Sequence, residues 1–255
     1  MKKFNEIDPA VDLEHNQIRV RLFGNLEMDN KYGHMDDVTA RCHAITWLTL
    51  KYILVNSNRD VDQDEFMAFT FEGKPITEQD GAMRTRLQRT RTLLVPLGLE
   101  GRNGLILFSS GKFRINPDFE LIIDEKEFTN ILDRLDNLPV DAPEGIDLCM
   151  EALDLCRGEF LAYTDDSGWL KPYRDHYKRE LINLCDDTME RMRALHDYRA
   201  SELLWRRAAA VIPVDNRVHQ DIFRFLVEKR QRHEIPRYVS QLYLKGASWI
   251  NDFEY

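Results

Sequence analysis

Hydrophobic and polar positions change their period several times along the chain, and each change predicts an element. Ile18-Arg-Val-Arg-Leu-Phe-Gly24 alternates with period two, which predicts a half-buried strand, and Gly24-Asn25 permits a turn or bulge before Leu26 and Met28. From Val38 to about Asn56 the apolar positions Cys42, Ile45, Leu48 or Thr49, Tyr52 and Ile53 recur at three and four, which predicts a helix ending at Asn56-Ser57-Asn58. Gln63 to Phe71 carries Phe66, Met67, Phe69 and Phe71 at no clean period and is read as a short helix. Gly73-Lys-Pro75 makes a turn, Thr77-x-x-Asp80 resembles a capping box, and a helix follows from about Glu78 to Val95, stopped near Pro96 and Gly98. A hairpin comes next, Leu105 to Phe108 and Phe113 to Ile115, turning at Ser110-Gly111.

The helix at 78–95 has two unlike faces. Met83, Leu87, Thr90 and Leu94 fall at i, i+4, i+7 and i+11 and form an inward stripe, whereas Thr85, Gln88, Arg89 and Thr92 fall on the opposite side. Arg84, Arg86 and Arg91 are expected to flank that outer face, where phosphates would lie. Local charge singles out the region. Between Gly81 and Pro117 stand Arg84, Arg86, Arg89, Arg91, Arg102, Lys112 and Arg114 against the single acid Glu100, in a chain of formal charge -9. An acidic protein has no general attraction to nucleic acid, so binding must be focused on one patch. The order of strand, helix, short helix, capped basic helix and hairpin predicts a winged helix, whose third helix enters the major groove while the wing touches the backbone or the adjacent minor groove.

From Glu125 onward the pattern is helical: Glu127 to Leu135, Gly145 to Arg157, Leu170 to Leu195, Tyr198 to Val211, Arg217 to Lys229 and Ile235 to Leu244. Helices of this length joined by short loops, at Pro139 to Pro143, Asp165 to Gly168 and Ile212-Pro213, suggest a repeat array. Ala200, Leu203, Leu204, Ala208 and Val211 supply one packing face and Ile222, Phe223, Leu226 and Val227 the next. Trp205 to Pro213, where a helix closes on a proline, resembles tetratricopeptide (TPR) architecture, whose concave surface receives a protein or a second copy.

Composition narrows the function classes. Length 255 and an apolar fraction of 43% suffice for one large or two smaller cores. No apolar run approaches the ~20 residues of a membrane helix, and Met1-Lys2-Lys3-Phe4-Asn5-Glu6 lacks a signal-peptide core, so the expected location is cytoplasmic. Cys42, Cys149, Cys156 and Cys185 form no C-x-x-C pair and read as buried thiols. His15, His34, His43, His176, His196, His219 and His233 show no metalloprotease spacing, and neither a serine elbow nor a phosphate loop is present. Asp36-Asp37, Asp165-Asp166 and Asp186-Asp187 read as surface acids rather than metal ligands, and Asp175-His176 and His196-Asp197 as exposed helix residues. No enzyme, cofactor or metal is expected.

The segments Ile18 to Met28, Arg84-Thr85-x-Leu87-x-Arg89-x-Arg91 with Leu94, and Ser110-Gly111-Lys-Phe-Arg-Ile115 resemble the OmpR/PhoB-like winged helix of the SARP-type bacterial regulators, the antibiotic regulatory protein class. Ile123-Asp124-Glu-Lys-Glu-Phe128, Ala152-Leu-Asp-Leu-Cys-Arg-Gly-Glu-Phe-Leu161, Trp169-Leu-Lys-Pro-Tyr-Arg174 and Pro213-Val-Asp-Asn-Arg-Val-His219 look like their bacterial transcriptional activator domain. The resemblance covers about Ile18 to Leu244. It implies an α+β winged-helix DNA-binding domain at 17–118, after a polar arm at 1–16, and an all-α TPR-like domain at 119–255. It also implies a homodimer on tandem promoter repeats that recruits RNA polymerase. The DNA-contacting set expected from sequence is Arg84, Thr85, Arg86, Gln88, Arg89, Arg91, Thr92, Lys112 and Arg114, with Arg89, Thr85 and Gln88 at the bases. The rival reading is an interaction or effector-sensing module whose winged helix no longer binds DNA. The aromatics of Trp249 to Tyr255 lead to the expectation that the native protein continues.

Overall fold

The computed structural model describes residues 13–38, 44–70, 79–164, 168–229 and 233–246. Most of the expected arm, Cys42, His43, the turn at 73–75, Thr77 of the capping box, Asp165, Asp166 and the terminal aromatics lie outside the described residues, as do the side chains of Phe69 and Asp80. The described residues divide into two compact units, one built on 13–21 and 25–123, the other on Leu22–Gly24 and 124–246.

The first unit is mixed α and β. Its strands β1 (Gln17–Arg21), β2 (Glu27–Asn30) and β3 (Gly33–Asp36) precede α1 (Ala44–Val55), β4 (Val61–Asp62), α2 (Gln63–Thr70) and α3 (Gln79–Leu93). A 3-10 turn at Val95–Leu97 then leads to β5 (Ile106–Ser109), β6 (Lys112–Ile115) and β7 (Glu120–Ile123). One sheet has the order β3-β2-β1-β7 and the other β4-β6-β5. β1 runs antiparallel to β2 with Val20 opposite Met28, and parallel to β7 with Ile18 opposite Leu121.

Three features differ from the sequence expectation. Residues Gly33–Asp36 and Glu120–Ile123 are strands that the local pattern did not signal. Because β7 pairs with β1, the division between the units falls after Ile123, a little beyond residue 118. Finally, β1 is not half exposed: Ile18, Arg19, Val20 and Arg21 are all buried. Burial of Arg21 is offset by ion pairs to Asp29 at 2.5 Å and Glu27 at 3.1 Å, and Asp29 also receives His34 Nδ1 at 2.6 Å. Buried cations survive when their partners are buried with them.

The second unit is helical: α4 (Asp124–Asp136), α5 (Gly145–Leu155), α6 (Lys171–Leu195), α7 (Ser201–Val211), α8 (Arg217–Glu228) and α9 (Ile235–Leu244). From α5 to α7 each helix packs on the next and on the next but one, which builds a continuous core. Ala200, Leu204, Ala208, Ile222, Phe223 and Leu226 are buried as expected, Leu203 and Val211 are half-buried, and Val227, expected on the packing face, is exposed. Chain reversals are held by long cations. Arg191 donates to Leu135 O (3.0 Å), Leu138 O (3.2 Å) and Pro139 O (2.8 Å) at the end of α4. Gly145 leaves room for this side chain, since a Cβ there would lie 2.7 Å from Arg191 Nη1. Arg174 donates to Phe160 O (3.0 Å), Leu161 O (2.8 Å) and Thr164 O (2.9 Å), gripping a turn in which Leu161 takes φ +49°.

Leu22–Gly24 is stitched into this unit. Leu161 N donates to Leu22 O (2.8 Å), Ala162 N to Gly24 O (2.7 Å) and Gly24 N to Glu159 O (3.0 Å). Asp124, at the start of α4, accepts from Leu22 N (2.8 Å), Phe23 N (3.1 Å) and Glu125 N (2.8 Å). The Phe23 ring meets Phe128 and Tyr177 edge-on, each at 5.3 Å.

Farther along, buried Glu234 accepts from Ser201 Oγ and Trp205 Nε1, both at 2.9 Å. His219 is wholly buried: Nε2 donates to Ile212 O (3.2 Å) and Nδ1 accepts from Tyr238 Oη (2.7 Å), which fixes the neutral tautomer. Burial pushes its pKa below the usual value. The unfolded chain takes up this proton near pH 6.5 and the folded chain resists it, so stability is present above about pH 6.5 and falls as pH drops below it. His219→Gln is expected to lower stability at neutral pH but to shrink the loss on acidification. Urea midpoints of both proteins at neutral and mildly acidic pH test this, and an equal acid loss in both would contradict it.

Candidate nucleic-acid interface

The third helix is held by its apolar stripe. Met83, Leu87, Thr90 and Leu94 are buried, and Thr90 hides its hydroxyl by donating to Arg86 O at 3.0 Å. Arg84, Thr85, Gln88, Arg89 and Thr92 are exposed on the other side, where Thr92 Oγ1 donates to Gln88 O at 2.9 Å. Arg86 is half-buried at the flank, and its pKa is lowered by desolvation first and then by the charge of Arg89. A guanidinium remains protonated under such pressure, so the result is concentrated positive potential. Among the described residues Arg84 and Arg89 make no ion pair.

Arg91 departs from the sequence expectation. Instead of flanking the outer face it is buried, and its Nε and Nη2 donate to Ile106 O at 3.2 and 2.8 Å. At 100° per residue, position 91 follows the inward Thr90 and lies beside the buried Leu87 row, close to the start of β5. Its side chain joins α3 to the hairpin instead of facing solvent.

The hairpin turns through Ser110 (φ +52°) and Gly111 (φ +74°), a two-residue left-handed turn that suits the strand twist. Ser109 pairs with Lys112 across it, and Phe108 with Phe113. Period two sends Phe113 inward, its ring 4.6 Å from those of Phe66 and Phe108, and leaves Lys112 and Arg114 exposed. Two contacts steady the turn: Gln63 N, at the start of α2, donates to Gly111 O at 2.8 Å, and β4 pairs Asp62 with Lys112. The Asp62 carboxylate lies 3.7 Å from Lys112 Nζ, and both side chains are open to solvent.

Sequence reasoning missed the residues that aim this surface. Asn30 Nδ2 donates to Leu97 O (2.8 Å) while its Oδ1 accepts from Tyr32 N (2.9 Å) and Gly33 N (3.0 Å), tying the β2–β3 turn to the end of α3. Gly33 is the only side-chain-free choice there, because a Cβ would stand 2.3 Å from Pro96 O. Asn116 holds the base of the hairpin through Asn103 O (3.1 Å) and Gly104 O (3.2 Å). Asn116 directly before Pro117 is a turn signal that the sequence does carry.

Other chemistry is sparse. Among the described residues no three His, Cys, Asp or Glu side chains gather as a metal site, and no helix is long and apolar enough to cross a membrane. Cys149, Cys156 and Cys185 are buried thiols whose pKa values burial raises, that of Cys149 to about 11. They are poor nucleophiles in that state.

Neither a protein-family model nor a curated protein matches the sequence. Among solved structures, Mycobacterium tuberculosis EmbR in complex with a low affinity phosphopeptide is similar at 15% identity and a TM-score of 0.49, covering 93% of this chain and 66% of that one. A likeness that loose carries no argument about function, which has to come from the site itself.

The site separates cations by role, and stability measurements should see the division. Arg91→Ala is expected to cost about 1.5–3 kcal/mol, the scale of a charged hydrogen bond lost in a buried setting. Arg84→Ala and Arg89→Ala should stay within about 0.5 kcal/mol of the parent. Thermal or urea unfolding checks this, and comparable losses at all three positions would refute the assignment.

Proposed function

We propose that the chain is a sequence-specific, double-stranded-DNA-binding transcriptional regulator, acting as an activator. It reads the major groove with α3 and touches the backbone or adjacent minor groove with the β5–β6 hairpin, as a winged helix of the SARP type does. The observation that carries this reading is the exposed Arg84, Thr85, Gln88, Arg89 and Thr92 face on a helix pinned by its other side, next to a hairpin that presents Lys112 and Arg114. Thr85 and Gln88 serve as base readers and Arg89 as the guanine-directed side chain, while Arg84, Arg86, Lys112 and Arg114 meet phosphates. Arg91 leaves the contact set and becomes a positioning residue. The helical unit acts as a TPR-like activator domain that pairs two copies on tandem repeats and engages RNA polymerase, in the cytoplasm.

Binding to a duplex from the gene's own upstream region, against a scrambled duplex, tests the reading. Arg89→Ala should cost about 1–3 kcal/mol and relax preference at one base pair. Lys112→Ala and Arg114→Ala should weaken both duplexes alike and flatten the slope of log K against log salt by about one unit each. Asp62→Asn, which removes the carboxylate competing for Lys112, should tighten both. Weak, sequence-blind retention of the parent protein would overturn the proposal and favour a protein-interaction or effector-sensing module.

A further inference from the structure

One cation of the basic stretch has no part in the contacts above. Arg102 sits in the loop between the 3-10 turn and β5, it is exposed, and among the described residues it makes no ion pair, although Glu100 is two residues away. The loop is held at both ends. Leu99 N donates to Leu94 O (3.2 Å), Leu105 N to Leu99 O (3.0 Å) and Asn116 N to Leu105 O (2.8 Å), while Asn116 Nδ2 takes the carbonyls of Asn103 and Gly104. Its shape depends on glycine. Gly98 (φ +67°) and Gly101 (φ +94°) take left-handed backbone with open space around them, and a Cβ on Gly104 would lie 2.0 Å from Leu99 O. A backbone fixed so thoroughly has already lost the entropy that an ordinary surface loop would lose on meeting a ligand.

Arg102 lies near enough to Arg91 for its charge to add to desolvation in lowering the Arg91 pKa. Arg91 is committed to Ile106 O, so Arg102 is the member of this pair with its guanidinium open to solvent. We propose that the 98–105 loop is a preset anion-contact element beyond the C-terminal end of α3, with Arg102 binding a backbone phosphate of the duplex. The proposal rests on the DNA-binding reading and adds a third contact element to the helix and the hairpin. A cation beside a helix C-terminus also complements the helix dipole, which is worth about 0.3–1 kcal/mol to folding and nothing to DNA affinity. The two roles have different signatures.

The full chain and its Arg102→Ala, Arg102→Lys and Arg89→Ala variants are titrated at several salt concentrations with a duplex selected from a random-sequence pool and with its scrambled counterpart, and each protein is melted. Arg102→Ala is expected to weaken both duplexes by the same factor and to flatten the log K against log salt slope by about one unit. Arg102→Lys should keep that slope. Arg102→Ala with parental slope and affinity, whatever its melting temperature, overturns the proposal, and if Arg89→Ala still relaxes specificity, the DNA-binding reading stands without it. A parent protein that selects no duplex from the pool and retains none overturns both.

Discussion

The bond from the Arg91 guanidinium to the Ile106 carbonyl is the constraint on which the candidate interface depends. Apolar contacts hold α3 against its neighbours but tolerate sliding and rotation, since dispersion and burial have little directionality. A buried cation directed at one carbonyl oxygen does not, because any displacement leaves the charge unpaired at a cost of several kcal/mol. The bond links the last turn of α3 to the first residue of β5, and so sets that helix relative to the hairpin. Asn30 on Leu97 O and Asn116 on Asn103 O and Gly104 O repeat the device at the two remaining junctions.

The helical unit solves its chain reversals in the same way. Helix ends and tight turns leave carbonyl oxygens without main-chain donors, and burying them unpaired is expensive. Arg191 covers the end of α4, Arg174 the 160–164 turn, and Lys245 the carbonyls of Ala209 and Ala210 at the end of α7. This gives a physical role to the segments at 158–162 and 169–174. Arg174 grips the turn holding Phe160 and Leu161, Glu159 and Leu161 bond the backbone of Leu22–Gly24, and Gly158 is small enough to let Gly24 approach, its added Cβ lying 3.1 Å from Gly24 Cα. Asp124 completes the clasp from the start of α4. Burial drives its carboxyl up to about 6 against the pull of the Leu22, Phe23 and Glu125 amides, so desolvation outweighs the hydrogen bonds there.

What the sequence made legible follows from the range of each interaction. The face of α3, the hairpin turn and the helices of the second unit are written in spacings of a few residues, and there the pattern and the structure agree on Met83, Leu87, Thr90, Gly111 and Ile222. The strands β3 and β7 were invisible for opposite reasons. Gly33-His-Met-Asp36 is too polar to resemble a strand, and β7 acquires its identity from β1, about a hundred positions earlier, through a parallel pairing no local window contains. Buried charges were the other blind spot. Arg21, Arg91, Arg174 and Arg191 look like surface residues until the partner appears, and the partner is a distant carbonyl in three of the four.

That division of labour among arginines bears on how an acidic protein could bind DNA. The chain's formal charge of -9 supplies no long-range attraction to a polyanion, and fields of either sign are screened beyond a Debye length, about 8 Å at physiological salt. Attraction has to come from cations that meet phosphates at contact range. Cations already spent on carbonyls, such as Arg91 and Arg191, add potential but cannot swing to a ligand without unfolding their junctions. The exposed set of Arg84, Arg89, Arg102, Lys112 and Arg114 is therefore small, and each loss from it should be felt in full. On the proposed reading, weak long-range attraction with focused contacts would favour a duplex that also satisfies Thr85 and Gln88 over one that offers phosphates alone, because non-specific binding draws almost entirely on the electrostatic term that the remaining acids reduce.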